Sequence, residues 1–206
     1  VMSYKPLPPF GSWSGPRDAR IVLLGEAWGA GEDQTRLPFS HESGKELFRM
    51  LGEAWPLIWS EEHARVESFH RFELAWVGQR ERWLEEASCA FTNVLNFRPP
   101  GNKIPEVCCR KSDLPSSYQL PAIKSPGLYL RPEFLPELDR LGEELEHCRP
   151  NLVVAMGNTA CWALLQALNI SQIRGTVRQG QIPGTGPTAS SPLKVLPTYH
   201  PASLLY

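Results

Sequence analysis

One stretch constrains the fold of this chain more than any other: Arg20-Ile-Val-Leu-Leu-Gly-Glu-Ala-Trp-Gly-Ala-Gly-Glu-Asp33. Its apolar run, Ile21 to Leu24, is bounded by charge on one side and by glycine on the other. That is the pattern of a strand buried on both faces, as in a parallel sheet. The strand is read as ending at Gly25, and Glu26, Ala27, Trp28, Gly29, Ala30 and Gly31 then form a turn at the carboxyl end of the sheet. In open α/β sheets that rim is where ligands bind. A carboxylate, a large aromatic and several glycines on the rim suit a substrate edge approached closely by backbone. An ordinary strand-to-loop turn with Glu26 in solvent accounts for the same residues.

The rest of the chain repeats the theme. Ala90-Phe-Thr-Asn-Val-Leu95, Leu152-Val-Val-Ala-Met-Gly157 and Lys194-Val-Leu-Pro-Thr-Tyr199 read as three further strands. With the first they predict a three-layer α/β/α domain around a four-stranded, largely parallel sheet. A length of 206 residues fits one such domain over 1–206. Residues 1–19, with Pro6, Pro8, Pro9, Pro16, Gly11 and Gly15, read as an extended arm.

Between the strands, Ser40 or Ser43 is placed to cap a short helix running to about Leu51. Gly44-Lys45 lacks the upstream glycine and the following Ser/Thr of a phosphate-binding P-loop. Residues 60–87 read as a helix with an apolar stripe of Val66, Phe69, Phe72, Trp76, Trp83 and Ala87, and Trp55 and Trp59 lie just before it. A loop of Asn96 to Lys103 leaves the second strand. Residues 104–132 carry five prolines and no periodicity, and read as a long irregular connection. Phe134, Leu138, Leu141, Leu145 and Cys148 make a helical stripe stopped by Pro150. Asn158 or Thr159 is placed to cap a helix from Ala160 to Leu168, whose start makes a natural phosphate seat. Residues 171–192 are rich in glycine, proline and serine and read as loop.

Composition excludes several classes. No apolar run approaches the roughly 20 residues that span a bilayer and no leader opens the chain, so the expectation is a cytoplasmic protein without membrane contact. The five cysteines form no CxxC pair and read as reduced thiols without a metal. A net charge of −1 does not advertise nucleic-acid binding. A local strip of cations suffices for it, however, and Lys45, Arg98, Lys103, Arg110, Lys111, Lys124, Arg174 and Arg178 stand in loops while the acids concentrate at 61–86 and 133–146.

Four strand-ending motifs now stand together: Gly25-Glu-Ala-Trp-Gly29, Thr92-Asn-Val-Leu-Asn-Phe-Arg-Pro-Pro-Gly-Asn102, Val153-Val-Ala-Met-Gly-Asn-Thr-Ala160 and Pro197-Thr-Tyr-His-Pro-Ala-Ser-Leu-Leu205. In this order they resemble the uracil-DNA glycosylase superfamily, and within it the family 4 branch. The resemblance runs from about Ile21 to Leu205, with insertions at about 52–86 and 104–132. It implies a monofunctional enzyme that flips a uracil-like nucleotide out of single- or double-stranded DNA and hydrolyses its N-glycosidic bond. His200, held by Pro201, matches the histidine that donates to the departing base oxygen. Asn93 matches the base-reading asparagine, whose carboxamide offers both a donor and an acceptor. Phe39 matches the aromatic that stacks on the base. Glu26 matches the family 4 carboxylate that polarises water or balances the cationic sugar. The water-activating aspartate of another branch falls on Ala27, and Asp33 is a reserve. Gly25, Ala27, Trp28 and Gly29 complete the base pocket. Ser43-Gly44-Lys45, Gly157-Asn158-Thr159 and Ser203 match phosphate-gripping turns, and Leu204, Arg174 and Arg98 are placed against the strand.

Two departures qualify the resemblance. Family 4 holds an iron–sulfur cluster on four cysteines, yet no cysteine precedes Cys89 here and Phe97 occupies the third cysteine's place. The expectation is therefore a chain without that cofactor. Trp28 replaces the family's proline, and Gly29 stands where stricter uracil enzymes carry a bulky residue against 5-substituted pyrimidines. A larger modified base, such as one in viral DNA, then becomes a candidate substrate, and antiviral defence a candidate role beside repair. A non-catalytic DNA-binding or inhibitory module on the same fold and an enzyme of free nucleosides or nucleotides are the competing readings. A monomer is expected.

Overall fold

The computed structural model describes the backbone of residues 4–58, 76–124, 127–184 and 191–204, and among these the side chains of all but 52–58, 76–79 and 204. Its centre is a five-stranded sheet. The strands are β1 (Ile21–Ala27), β2 (Cys89–Leu95), β5 (Leu152–Met156), β6 (Arg178–Gln181) and β7 (Pro192–Thr198), in the order β2-β1-β5-β7-β6. β1 pairs in parallel with β2 and β5, and β5 in parallel with β7. These are the four expected strands. The fifth, β6, runs antiparallel to β7 along the edge, in a segment whose composition reads as loop. The reason is packing: a Cβ at Gly180 would lie 2.7 Å from both the Leu164 carbonyl oxygen and a Val195 methyl, so only glycine fits this strand.

Alternation along β1 sorts the core into two layers. Val22 and Leu24 face one side, in a cluster with Leu138, Leu141 and Leu145 of α4 (Pro136–Cys148) and Ala160, Cys161 and Leu164 of α5 (Asn158–Leu165). Leu23 faces the other, with Phe91, Leu47 and Phe48 of α2 (Glu42–Ile58) and Trp83 and Leu84 of α3 (Trp76–Glu86). The helix expected to stop near Leu51 thus continues to Ile58. Of the stripe expected over 60–87, Trp83 packs in the core, while Val66, Phe69 and Phe72 lie outside the described residues and Trp55, Trp59 and Trp76 outside the described side chains. Two short helices, α1 (Ala30–Thr35) and α6 (Ile170–Ile173), follow β1 and α5.

The connection at 104–132 is more regular than its composition suggests. It folds as single helical turns around an antiparallel pair, β3 (Cys108–Arg110) and β4 (Leu128–Leu130), and buries Ile104, Val107, Ile123 and Leu130. Three-residue strands are too short to show a period of two. The arm is likewise part of the sheet: Ser14 exchanges both backbone hydrogen bonds with Phe91 (3.1 and 2.8 Å) and so closes part of the outer edge of β2. Among the described residues no helix is long and apolar enough to cross a membrane.

Candidate active site on the carboxyl rim of the sheet

The carboxyl ends of β1, β2, β5 and β7 converge on a cavity of about 340 Å³. Each strand delivers at least one of the sequence-predicted residues to its wall: Glu26 and Ala27 from β1, Asn93 from β2, Gly157 after β5 and His200 after β7. Phe39, Gly29, Ser43 and Ser203 come from the intervening turns.

His200 stands beyond the last strand in a turn that Ser203 fixes by donating its N–H and its hydroxyl to the His200 carbonyl (2.9 and 2.7 Å). Its Nδ1 accepts the Ala202 N–H at 3.2 Å. Burial lowers the imidazole pKa to about 4, so the ring is neutral at pH 7. A neutral ring with Nδ1 accepting carries its proton on Nε2, which makes Nε2–H a donor.

Asn93 is 1% exposed, and its Nδ2 has no hydrogen-bond partner among the described residues. A buried amide donor left unpaired in protein costs about 1–3 kcal/mol, a penalty that a ligand in the cavity would relieve. Gly25 lies directly beneath it: a Cβ there would sit 2.1 Å from Asn93 Oδ1 and 2.6 Å from Phe39 Cζ. Gly25 is the floor that lets the carboxamide and the ring approach each other.

Phe39 adopts a left-handed backbone (φ 54°), which is strained for an aromatic residue. The surroundings hold it there. The Glu32 carboxylate accepts its N–H, Arg80 donates to the Pro38 carbonyl, and its ring lies 5.2 Å from Phe91 and 5.8 Å from the His200 imidazole. Gly44 is required by the same turn, since a Cβ there would be 1.8 Å from the Phe39 carbonyl oxygen. The Gly44 signal therefore belongs to Phe39 rather than to a phosphate. Lys45 instead pairs with Glu42 at 2.8 Å on the exposed surface.

Glu26 is held by the Thr159 hydroxyl, which donates to Oε2. Burial pushes its carboxyl above the usual range, against the opposing pull of that hydrogen bond and of the Lys124 charge. Thr159 thus serves the carboxylate and does not cap α5, whose N-cap is Gly157. The Asn158 side-chain oxygen accepts the Ile170 N–H at 3.2 Å, so it ties down α6. Trp28 is withdrawn from the pocket: it is 4% exposed, and its indole N–H donates to the Ser12 hydroxyl at 3.1 Å beneath the arm. Asp33 is exposed and stands off the wall. Arg98 is exposed, and Arg174 lies over the Tyr199 ring at 4.8 Å, on the surface beside His200. The Leu204 side chain lies outside the described residues.

Sequence reading missed Glu32, whose carboxylate lines the cavity and accepts the Gly29 N–H at 2.6 Å as well as that of Phe39. Burial raises its pKa despite these two bonds. A glutamate three residues after the residue that opens a helix is the spacing of a capping box, and that signal was available. Asn102 and Ile104 on the far wall carry no comparable signal.

The residues present do not fit the iron–sulfur cluster of family 4. Phe97, at the third cysteine's place, is 7% exposed and packs its ring between Tyr4 (4.9 Å) and Phe134 (5.1 Å). Among the described residues no three His, Cys, Asp or Glu side chains are grouped to hold a metal. The five cysteines are free, and Cys89, Cys108, Cys148 and Cys161 are buried.

Comparison with known proteins agrees with this fold. The sequence model of the Uracil DNA glycosylase superfamily matches residues 13–206. A type-4 uracil-DNA glycosylase of Archaeoglobus fulgidus is 28% identical over 93% of this chain, and one of Saccharolobus solfataricus is 25% identical over 93%. The chain spans 70% and 65% of the lengths of these two relatives. With its sequence model matching nearly the whole chain and Glu26, Asn93 and His200 around one cavity, the chain belongs to the uracil DNA glycosylase superfamily, enzymes that hydrolyse N-glycosyl bonds.

Proposed function

We propose that this protein is a monofunctional DNA glycosylase that takes a uracil-like base, flipped out of DNA, into the rim cavity and leaves an abasic site. The observation that carries the reading is the buried, unpaired amide of Asn93 in the same cavity as a neutral His200. The amide pair suits the N3–H and O4 edge of the ring, and Phe39 supplies a face to stack on. When the bond between C1′ and the base nitrogen breaks, its electron pair goes to the base and negative charge gathers on O2. The His200 Nε2–H stabilises that charge. Water then bonds to C1′, and its proton passes to the Glu26 carboxylate, whose raised pKa favours accepting it. Among the described residues no lysine lines the cavity, which supports hydrolysis without Schiff-base chemistry. DNA is the partner, bound by the protein as a monomer, with Lys45, Arg98 and Arg174 as strand contacts.

Gly29 supports a broader substrate range. A Cβ at this wall position would meet only the Glu32 carboxylate, at 3.4 Å, so the pocket has room beside the base. Pyrimidines with a bulky 5-substituent, as in modified viral DNA, then become substrates, and a defensive role follows from that breadth.

The test is base release from matched single- and double-stranded oligonucleotides containing uracil, 5-hydroxymethylcytosine or its glucosylated form, with alkali cleavage of abasic products. Release that disappears in His200→Ala and Asn93→Ala is the expected result. Binding of DNA with no release from any substrate would replace the enzyme by a non-catalytic module, and release from free nucleosides alone would remove DNA as substrate.

A further inference from the structure

Behind Asn93, on the side away from the cavity, lies a cluster of buried charge that the reaction does not use. Arg140 of α4 has a side chain 2% exposed, flanked by Glu137 and Glu144, both fully buried. Its guanidinium has a partner for every N–H. Nε donates to Glu137 Oε2 (3.0 Å), and Nη1 to Glu144 Oε2 (2.6 Å) and Thr92 Oγ1 (3.4 Å). Nη2 donates to the backbone carbonyls of Asn93 (2.7 Å) and Val94 (3.0 Å). Glu137 Oε2 also accepts the Asn96 N–H at 2.9 Å. The cluster therefore grips four positions at the strand end, Thr92, Asn93, Val94 and Asn96, around one residue, the base reader.

Stability alone does not explain such a cluster. Two carboxylates and one guanidinium withdrawn from water carry a desolvation cost that an apolar trio of the same volume would avoid. What a planar guanidinium provides is direction: several hydrogen bonds of fixed relative geometry, which a lysine does not reproduce. Direction is needed here because β2 is an edge strand. β1 fixes one side of it and, among the described residues, the arm's backbone pairs with the strand at Phe91, so the carbonyl of Asn93 needs another partner. Arg140 fills that place.

We infer that Arg140, braced by Glu137 and Glu144, is a positioning residue that sets the strand end from which Asn93 reads the base. The brace reaches the arm as well: Tyr4 donates its hydroxyl to Glu137 Oε1 (2.8 Å) and the Phe10 N–H donates to Glu144 Oε1 (2.9 Å). Arm, helix and base reader form one hydrogen-bonded unit. This inference rests on the proposed glycosylase reading for its kinetic consequence, but not for its geometric one.

Two readouts test it. In ¹⁵N-correlated spectra, the Asn93 side-chain NH₂ pair is assigned by its absence from Asn93→Ala. Arg140→Lys is expected to shift or double that pair while the backbone amides of β5 and β7 stay in place; an unmoved Asn93 pair overturns the inference. In kinetics on a uracil oligonucleotide, Arg140→Lys is expected to lower kcat by about 10- to 100-fold with affinity for abasic product DNA unchanged. Placed on Asn93→Ala, it should cost less than about threefold more, because the group it acts through is gone. Losses that multiply in the double variant, or product affinity that falls in step with kcat, make the cluster merely structural. If Arg140→Lys does not fold, Glu144→Gln keeps the shape while removing one brace, and the same spectra and cycle are read on it. A wild type that excises nothing refutes the glycosylase reading, and the spectra then decide the positioning claim alone.

Discussion

The sharpest prediction concerns a single methyl group at Gly25. Its φ lies outside the left-handed region, so Gly25→Ala introduces no backbone strain, only volume. The new Cβ would stand 2.1 Å from Asn93 Oδ1, whereas ordinary contact begins at 3.4 Å; the carboxamide must retreat by about 1.3 Å, and the Phe39 ring, 2.6 Å away, must also move. A misplacement of about 1 Å in a reacting constellation costs on the order of 100-fold in rate, or about 2.7 kcal/mol of transition-state stabilisation. Single-turnover excision of uracil by Gly25→Ala should therefore fall by about 100-fold, with product-DNA binding close to wild type and a stability loss of about 1–3 kcal/mol from overpacking. Gly29→Ala is the control on the same rim, since its Cβ meets one flexible carboxylate at 3.4 Å. Its uracil excision should stay within about threefold of wild type, while any release of 5-substituted bases drops by 10-fold or more. Gly25→Ala with wild-type uracil kinetics would refute the claim that Asn93 and Phe39 act on the substrate from their observed positions.

Further predictions concern protons and the arm. With the His200 pKa lowered to about 4, the folded chain does not bind the proton that the unfolded histidine takes up near 6.5. Stability should thus fall as pH drops from about 6.5 towards 4, by up to about 1.4 kcal/mol per pH unit from this group. Denaturant titrations of His200→Asn should show a shallower slope in that window. Thr159→Val removes the hydrogen bond that lowers the Glu26 pKa, so the acid limb of the kcat/KM profile should move to higher pH; an unmoved limb would take Glu26 out of the proton step. Tyr4→Phe deletes one half-buried bond to Glu137 and should cost about 1 kcal/mol in equilibrium unfolding, with base release nearly unchanged.

The residues legible in the sequence are those whose neighbours along the chain fix their surroundings. β1, β2 and β5 announce themselves as apolar runs because both their faces are largely covered, β7 shows an alternation of buried and exposed residues, and Glu26, Asn93, Gly157 and His200 stand at their ends by direct continuation. What was misread depends on contacts distant in sequence. Trp28 turns inward because Ser12 of the arm accepts its indole proton, and Thr159 turns to Glu26, 133 residues away. β6 was hidden because Gly180 marks a close approach to α5 rather than a loop. Gly44 and Gly157 carry the same letter for different reasons, one beneath the Phe39 carbonyl and the other at a helix start with φ 90°.

The exposed flank of β2 has a consequence for how the protein comes into being. Ser14, which covers one part of that flank, is synthesised well before the strand; Arg140, which covers the part beside Asn93, emerges well after it. A nascent chain that has just released β2 from the ribosome holds an unpaired strand border, a place where another chain can add itself. Among the described residues that precede β2, Ser14 of the arm pairs with that flank, and it protects Phe91 until α4 arrives. His200, near the far end of the described chain, comes later still. Chains that stop before α4 therefore lack the Arg140 contact to the Asn93 carbonyl, and chains that stop before His200 also lack the imidazole in the cavity wall.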